Sequence, residues 1–214
     1  MSARRVAVIS AGLSTPSSSR MLADRLAVAT SAALSVRGAD VIVDAIELRD
    51  HAHAITDNMI TGFARPELEA AINAVVSADA IIAVTPVFSS SYSGLFKSFI
   101  DVLDPDSLRG TPVLLGANGG TPRHSLALDY ALRPLFAYLH ADVVPTGVYA
   151  SSADWGGVDE GIAPLAERIE RAGRELAEAI TRREPARMAD PFDPDSYLGE
   201  GRSFGHLLGG LAGE

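Results

Sequence analysis

Ala83-Val84-Thr85-Pro86-Val87-Phe88-Ser89-Ser90-Ser91-Tyr92-Ser93-Gly94-Leu95-Phe96-Lys97-Ser98-Phe99-Ile100-Asp101 reads as a buried strand, a sharp turn at a proline, a run of small hydroxyl residues and an amphipathic helix. In an open parallel sheet such a strand-to-helix junction lies at the carboxyl edge, where ligands bind. Pro86, Phe88 and the backbone amides from Val87 to Ser91 suit a flat, mostly apolar ring. The same stretch also reads as an ordinary strand–turn–helix connection, in which Pro86 restricts Thr85 to extended geometry.

Outward from this junction, apolar runs alternate with helical patterns. Val6–Ile9, Val41–Ile46, Ala80–Thr85, Pro112–Gly116 and Val143–Tyr149 read as five strands. Helices are expected from Ser18, with Leu22, Leu26, Ala29, Ala33 and Val36 on one face, and from Pro66, with Leu68, Ile72 and Val75 aligned. Others are expected over Tyr92–Leu103, around Leu128, Leu132, Leu135 and Leu139, and over Gly157–Arg183. The strands lack hydrophobic alternation, which predicts burial on both faces of a parallel sheet. Five strand–helix units predict a doubly wound α/β domain over residues 1–184. Residues 185–214 form a Pro-, Gly- and Asp-rich tail in which Phe192, Tyr197, Leu198, Phe204, Leu207 and Leu208 are interspersed. That apolar content predicts docking on the domain or on a neighbouring subunit.

Composition narrows the chemistry. The 214 residues carry a formal charge of -9, which disfavours nucleic acid and anionic membranes as partners. No apolar run approaches the roughly 20 residues that span a bilayer, and no signal-peptide core follows Met1, so a cytoplasmic location is expected. Cysteine is absent, which removes disulfides, thiolate metal ligation and a cysteine nucleophile. His51 and His53 lack further ligands nearby, so no metal site is expected. Ser14, Asp129 and His140 can be assembled into a hydrolase triad, but no G-x-S-x-G elbow supports it. Redox chemistry would have to reside in a bound cofactor.

The segment Ser10-Ala11-Gly12-Leu13-Ser14-Thr15-Pro16-Ser17-Ser18-Ser19-Arg20 leads from the first strand into the first helix. It matches neither a dinucleotide fingerprint nor a nucleotide P-loop. Hydroxyls, helix-terminal amides and Arg20 suit a terminal phosphate monoester, although serines also serve as plain helix caps. A fourth-strand loop from Gly116 to His124 places Gly119 and Gly120 where backbone can approach a ligand or take a positive φ. Arg123 reads as a contact for a nicotinamide nucleotide's phosphate or as a solvated cation, and His124 lacks an evident carboxylate partner. Trp155 reads as a packing or interface residue. A phosphate loop plus a ring-binding loop makes a flavin the candidate ligand.

With these loops placed, the chain resembles the NAD(P)H-dependent FMN reductases of flavodoxin-like fold. The resemblance is closest to actinobacterial members associated with luciferase-like monooxygenases, and it covers roughly residues 4–150. It is carried by Val-Ile-Ser-Ala-Gly at 8–12, Ser-Ser-Ser-Arg at 17–20, Thr-Pro-Val-Phe at 85–88, Ser-Tyr-Ser-Gly-Leu-Phe-Lys at 91–97 and Gly-Gly-Thr-Pro-Arg-His at 119–124. The resemblance implies a five-stranded sheet of order 2-1-3-4-5, FMN as cofactor and NAD(P)H as co-substrate. It implies that Ser10, Ser17, Ser18, Ser19 and Arg20 hold the FMN phosphate. Pro86, Val87 and Phe88, with Thr85, Ser89, Ser91 and Tyr92 around them, would serve the ring and ribityl chain. Asn118, Gly119 and Gly120 would line the far edge. Where the family often has Pro-x-Tyr-Asn, this chain has Phe88 and Ser89 in the last two places. Members are usually dimers or tetramers whose subunits build the flavin site together.

The leading expectation is therefore hydride transfer from NADH or NADPH to FMN, with no protein acid or base required. Reduced FMN would then pass to a flavin-dependent monooxygenase. Two alternatives stand beside it: an FMN-retaining reductase of quinones, azo compounds or metal oxyanions, and a non-enzymatic flavodoxin-type electron carrier.

Overall fold

The computed structural model describes residues 3–155 and 164–183. The expected tail at 185–214, and the part of the last expected helix before Pro164, lie outside the described residues. Strands β1 (Arg4–Ser10), β2 (Val41–Glu47), β3 (Ala80–Phe88) and β5 (Pro112–Gly119) run parallel and form the body of the sheet. The sheet order is β2-β1-β3-β5-β6, where β6 is Asp142–Val143. The fifth expected strand is thus divided: β6 and β7 (Val148–Ser151) each pair with β5, at its start and its end respectively. Between them Thr146 turns outward, its amide and hydroxyl both bonded to the Glu175 carboxylate at 2.7 Å.

Alternate residues of the central strands feed opposite layers, as the strand period of two requires. Ile9, Ile81, Ala83, Val113 and Leu115 face a cluster completed by α2 (Ala52–Thr61), α3 (Pro66–Val76), α4 (Gly94–Asp101) and α5 (Arg133–Tyr138). Val6, Val8, Ile82, Val84 and Leu114 face α1 (Ser18–Val36) and α6 (Leu165–Arg182). Helices on both faces make the sheet doubly wound. Two-sided burial fails at the edges: Ile42 and Val43 of β2 stay exposed, as does Asp142 of β6.

Two helical stripes differ from their expected form. On α1 the buried positions are Ser19, Leu22, Ala23, Leu26, Ala27, Thr30 and Leu34, while Val36 is 88% exposed. The helix must meet the sheet and α6 together, so its apolar face is broader than a single row, and Ala29 turns to α6. In the segment after β5, a π turn at Leu128–Leu132 precedes α5. The wider turn advances the stripe by one residue, so Phe136 rather than Leu135 is fully buried beside Leu132 and Leu139.

Candidate active site at the carboxyl edge

Ser17 ends the first loop in extended geometry, and its hydroxyl accepts from the Arg20 amide at 3.2 Å, capping α1. The opening amides of α1 have no acceptor within the helix and point out of its positive end. Gly12 is required here: a Cβ at that position would lie 1.9 Å from Ser17 Oγ. Ser10 is buried at the end of β1, and Ser19 is buried with its hydroxyl donating to Asn118 Oδ1 at 2.7 Å. Arg20 bridges Asp24 and Glu47, each at 2.7 Å. Its hydrogen bond to Asp24 raises the guanidinium pKa against the opposing effect of burial, and the charge of Glu47 adds to the rise.

Glu47 also meets Arg49 at 2.9 Å, and Arg49 reaches back to donate to the Ser14 carbonyl at 3.0 Å and to the Thr15 hydroxyl. Neither Glu47 nor Arg49 stood out in the sequence. Glu47 ends an edge strand and Arg49 follows it, and only the pairing of β2 beside β1 brings them to the first loop.

The third junction is tighter than a simple turn. Val87 and Phe88 pair with Ser91 and Tyr92 of the short antiparallel strand β4. The two linking residues, Ser89 and Ser90, have φ of 49° and 66°. Both occupy the left-handed region that a two-residue hairpin turn demands. Thr85 is fully buried below, accepting from the Ser93 amide at 3.0 Å and donating to the Pro86 carbonyl at 3.0 Å. Ser93 in turn caps α4 by accepting from the Phe96 amide. Tyr92 packs on Phe96 with ring centroids 6.1 Å apart.

In the fourth junction β5 runs on through Asn118 and Gly119. Neither Gly119 nor Gly120 has a positive φ. Gly119 is needed for space: a Cβ there would lie 2.4 Å from the Tyr149 hydroxyl, which donates to the Thr121 carbonyl at 2.8 Å. Burial raises the Tyr149 pKa, and the nearby Asp154 charge adds to it. Asp154 receives the Ser151 amide and hydroxyl at 2.7 and 2.6 Å and is paired with Arg168 of α6, which also donates to the Tyr149 carbonyl. Partial burial pushes the Asp154 carboxyl up, but the Ser151 hydrogen bonds and the Arg168 charge outweigh it, and the carboxyl stands below its ordinary value. Tyr149, Asp154 and Arg168 carried no recognisable sequence signal.

A cavity of about 270 Å³ opens where these junctions meet. Ser18 borders it from α1, Pro86, Val87 and Phe88 from the third junction, and Asn118, Gly119 and Gly120 from the fourth. Ala150, Ser152 and Trp155 complete the wall from the end of β7. Ser10, Ser17, Ser19, Arg20, Thr85, Ser89, Ser91, Tyr92 and Arg123 stand outside this lining, most of them as supports just described. Arg123 is exposed after Gly120, and among the described residues its guanidinium has no ion-pair partner. A larger cavity of about 610 Å³ lies between α1 and α6, walled by apolar residues such as Val28, Ala32 and Val36. It includes none of the third- or fourth-junction residues. Among the described residues no three His, Asp or Glu side chains gather as a metal site. Among them, too, no helix is long and apolar enough to cross a membrane.

A family model described as NADPH-dependent FMN reductase matches residues 4–156. The chain belongs to that family. An FMN reductase (NADPH) of Pseudomonas aeruginosa is 38% identical over 175 residues, covering 81% of this chain and 90% of that protein. The NADH-dependent FMN reductase SfnF of Pseudomonas fluorescens is 36% identical, covering 81% and 90%. Among solved structures, an oxidoreductase from Corynebacterium diphtheriae superposes with a TM-score of 0.81 at 48% identity, covering 85% of this chain and 99% of its own. The apo form of the NADH:FMN oxidoreductase EmoB gives 0.72 at 26% identity, covering 88% and 96%. Family membership agrees with the flavodoxin-like α/β fold, the FMN reductase activity and the FMN and NAD(P)H requirement expected from the sequence.

Proposed function

We propose that this FMN reductase binds FMN in the 270 Å³ cavity and reduces it with a nicotinamide nucleotide. The observation that carries the assignment is the meeting of a helix start, a proline–aromatic hairpin and a glycine pair in one pocket at the carboxyl edge. The residues fit the group: Gly12 lets the first loop close on Ser17 at the helix start, and a Cβ on Gly120 would meet nothing, which leaves that wall open to a ring. Bound FMN supplies the acceptor for the nicotinamide's hydride.

The chain's own residues bind and orient. The α1 amides and the Ser18 hydroxyl receive the anionic tail, with Ser17, Ser19 and Arg20 fixing the helix start that presents them. Pro86, Val87 and Phe88 flank the ring on one side, and Asn118 and Gly119 on another. Arg123, exposed beside Gly120, attracts the nucleotide's phosphate. Close placement of two rings supplies the rate advantage without a protein acid or base. Reduced FMN, the product of this reaction, would pass to a flavin-dependent monooxygenase. We place the enzyme in the cytoplasm as a homodimer or homotetramer.

The test is NADH and NADPH oxidation with and without added FMN. The reading expects turnover that rises with FMN and saturates. Turnover with a quinone or azo acceptor that ignores added FMN favours a retained cofactor. Absence of NAD(P)H oxidation with FMN present favours an electron carrier.

A further inference from the structure

Trp155 is the single tryptophan of the chain. It ends the short turn Ala153–Trp155 after β7, is half-buried, and borders the same cavity as Pro86, Asn118 and Gly119. One face of its indole is covered by Arg25 of α1, whose guanidinium carbon lies 4.9 Å from the ring centroid. A contact of this kind orients the ring as well as attracting it. The preceding residue cannot swing: Asp154 is bonded twice to Ser151 and paired with Arg168. The indole is therefore held from two elements at the mouth of a site that otherwise offers one exposed aromatic side chain, Phe88. A packing role alone does not require the ring to border the cavity.

We propose that Trp155 is a flavin-contacting wall that governs how tightly FMN is retained, with Arg25 as its positioning residue. The proposal rests on the cavity being the FMN site. An indole presents a large rigid π surface with little rotamer entropy to lose, and aromatic pairing adds to simple burial. Retention set by one side chain outside the first, third and fourth junctions gives the chain a way to adjust flavin release separately from phosphate capture at α1.

Because no other tryptophan contributes, indole emission reports this position alone. FMN is titrated into the full-length protein while indole emission and FMN anisotropy are followed together. Both signals are expected to saturate at the same midpoint, with strong indole quenching. Trp155→Ala is expected to weaken FMN binding about ten-fold, and Trp155→Phe, which keeps a ring, by less. Arg25→Ala is expected to reduce the quenching and weaken binding, and Arg25→Lys, which keeps the cation, to restore both. FMN binding that leaves the indole unquenched, or that is unchanged in Trp155→Ala, overturns the role of Trp155 while leaving the site assignment standing. Wild-type protein that shows no FMN anisotropy change overturns the site assignment and the role together.

Discussion

Ser19 Oγ donates to Asn118 Oδ1 across 2.7 Å, joining the first turn of α1 to the end of β5. One bond thus links the helix start that receives an anion to the loop that borders the ring. Ser19→Ala removes the donor and leaves a half-buried amide oxygen unpaired. The expected cost is about 1 kcal/mol of stability, with FMN binding weakened about five-fold. Urea unfolding and FMN titration check both numbers, and an unchanged dissociation constant would remove the coupling between the two loops.

Gly119→Ala places a methyl against the Tyr149 hydroxyl, 2.4 Å from where the new carbon must sit. Overpacking of this kind costs about 1–3 kcal/mol, so FMN affinity is expected to fall about ten-fold. Adding Tyr149→Phe deletes the offending oxygen, and the next atom, Cζ, stands at 3.5 Å. The double variant is expected to recover most of the affinity. A double variant weaker than Gly119→Ala alone would show that the Tyr149–Thr121 bond matters more than the space.

Arg49 fastens the first loop through Ser14 and Thr15 and is itself fixed by Glu47, which also holds Arg20. Arg49→Ala and Arg20→Ala are each expected to weaken FMN about ten-fold while changing riboflavin binding little, since only FMN carries the phosphate. Parallel titrations with the two flavins provide the comparison. Equal losses for both would move the phosphate elsewhere.

Ser90, at φ 66°, occupies a backbone region that costs a non-glycine residue about 1–2 kcal/mol. Ser90→Gly is expected to stabilise the protein by about 1 kcal/mol, read as a higher denaturant midpoint. A lower midpoint would mean that the loss of the side chain, or the added freedom of the unfolded chain, outweighs the relief.

Asp154 has a folded pKa below its ordinary value of 3.8. The unfolded chain therefore binds a proton at this carboxyl more readily than the folded one. The stabilisation is complete above the ordinary value and is lost as pH falls through the lowered folded one. Urea unfolding of wild type and Asp154→Asn across pH 2.5–7 (about one point per half unit) is expected to show a difference that narrows toward the acid end. A difference constant over that range would exclude the linkage.

The strand-to-helix rhythm was legible because β1, β3 and β5 are continuous apolar runs, although the helix expected from Tyr92 to Leu103 runs only over Gly94–Asp101, with Ser93 as its cap and Tyr92 in a strand. The cavity's loops followed from that order, since parallel strands put their carboxyl ends together. What stayed hidden depended on long-range pairing. Serines at 89 and 90 lack the Asn-Gly signal of a hairpin turn, so the antiparallel return of β4 could not be foreseen. The division of the last strand depends on Glu175, 29 residues further on, bonding Thr146. Arg49, Tyr149 and Arg168 look like any surface or strand residue until β2 and α6 bring them to the loops.

Gly173 lets α6 lie directly on α1: a Cβ there would come within 2.8 Å of the Ala29 carbonyl carbon. The recognised family region stops at 156, yet the helix that follows shares with α1 the cover of one side of the sheet, its Ile169, Leu176 and Ile180 lying in the same cluster as Val8 and Leu114. A protein trimmed to the recognisable motif would thus expose the part of that interior which α1 leaves uncovered, and transplanting the reductase into another scaffold means carrying this late helix along.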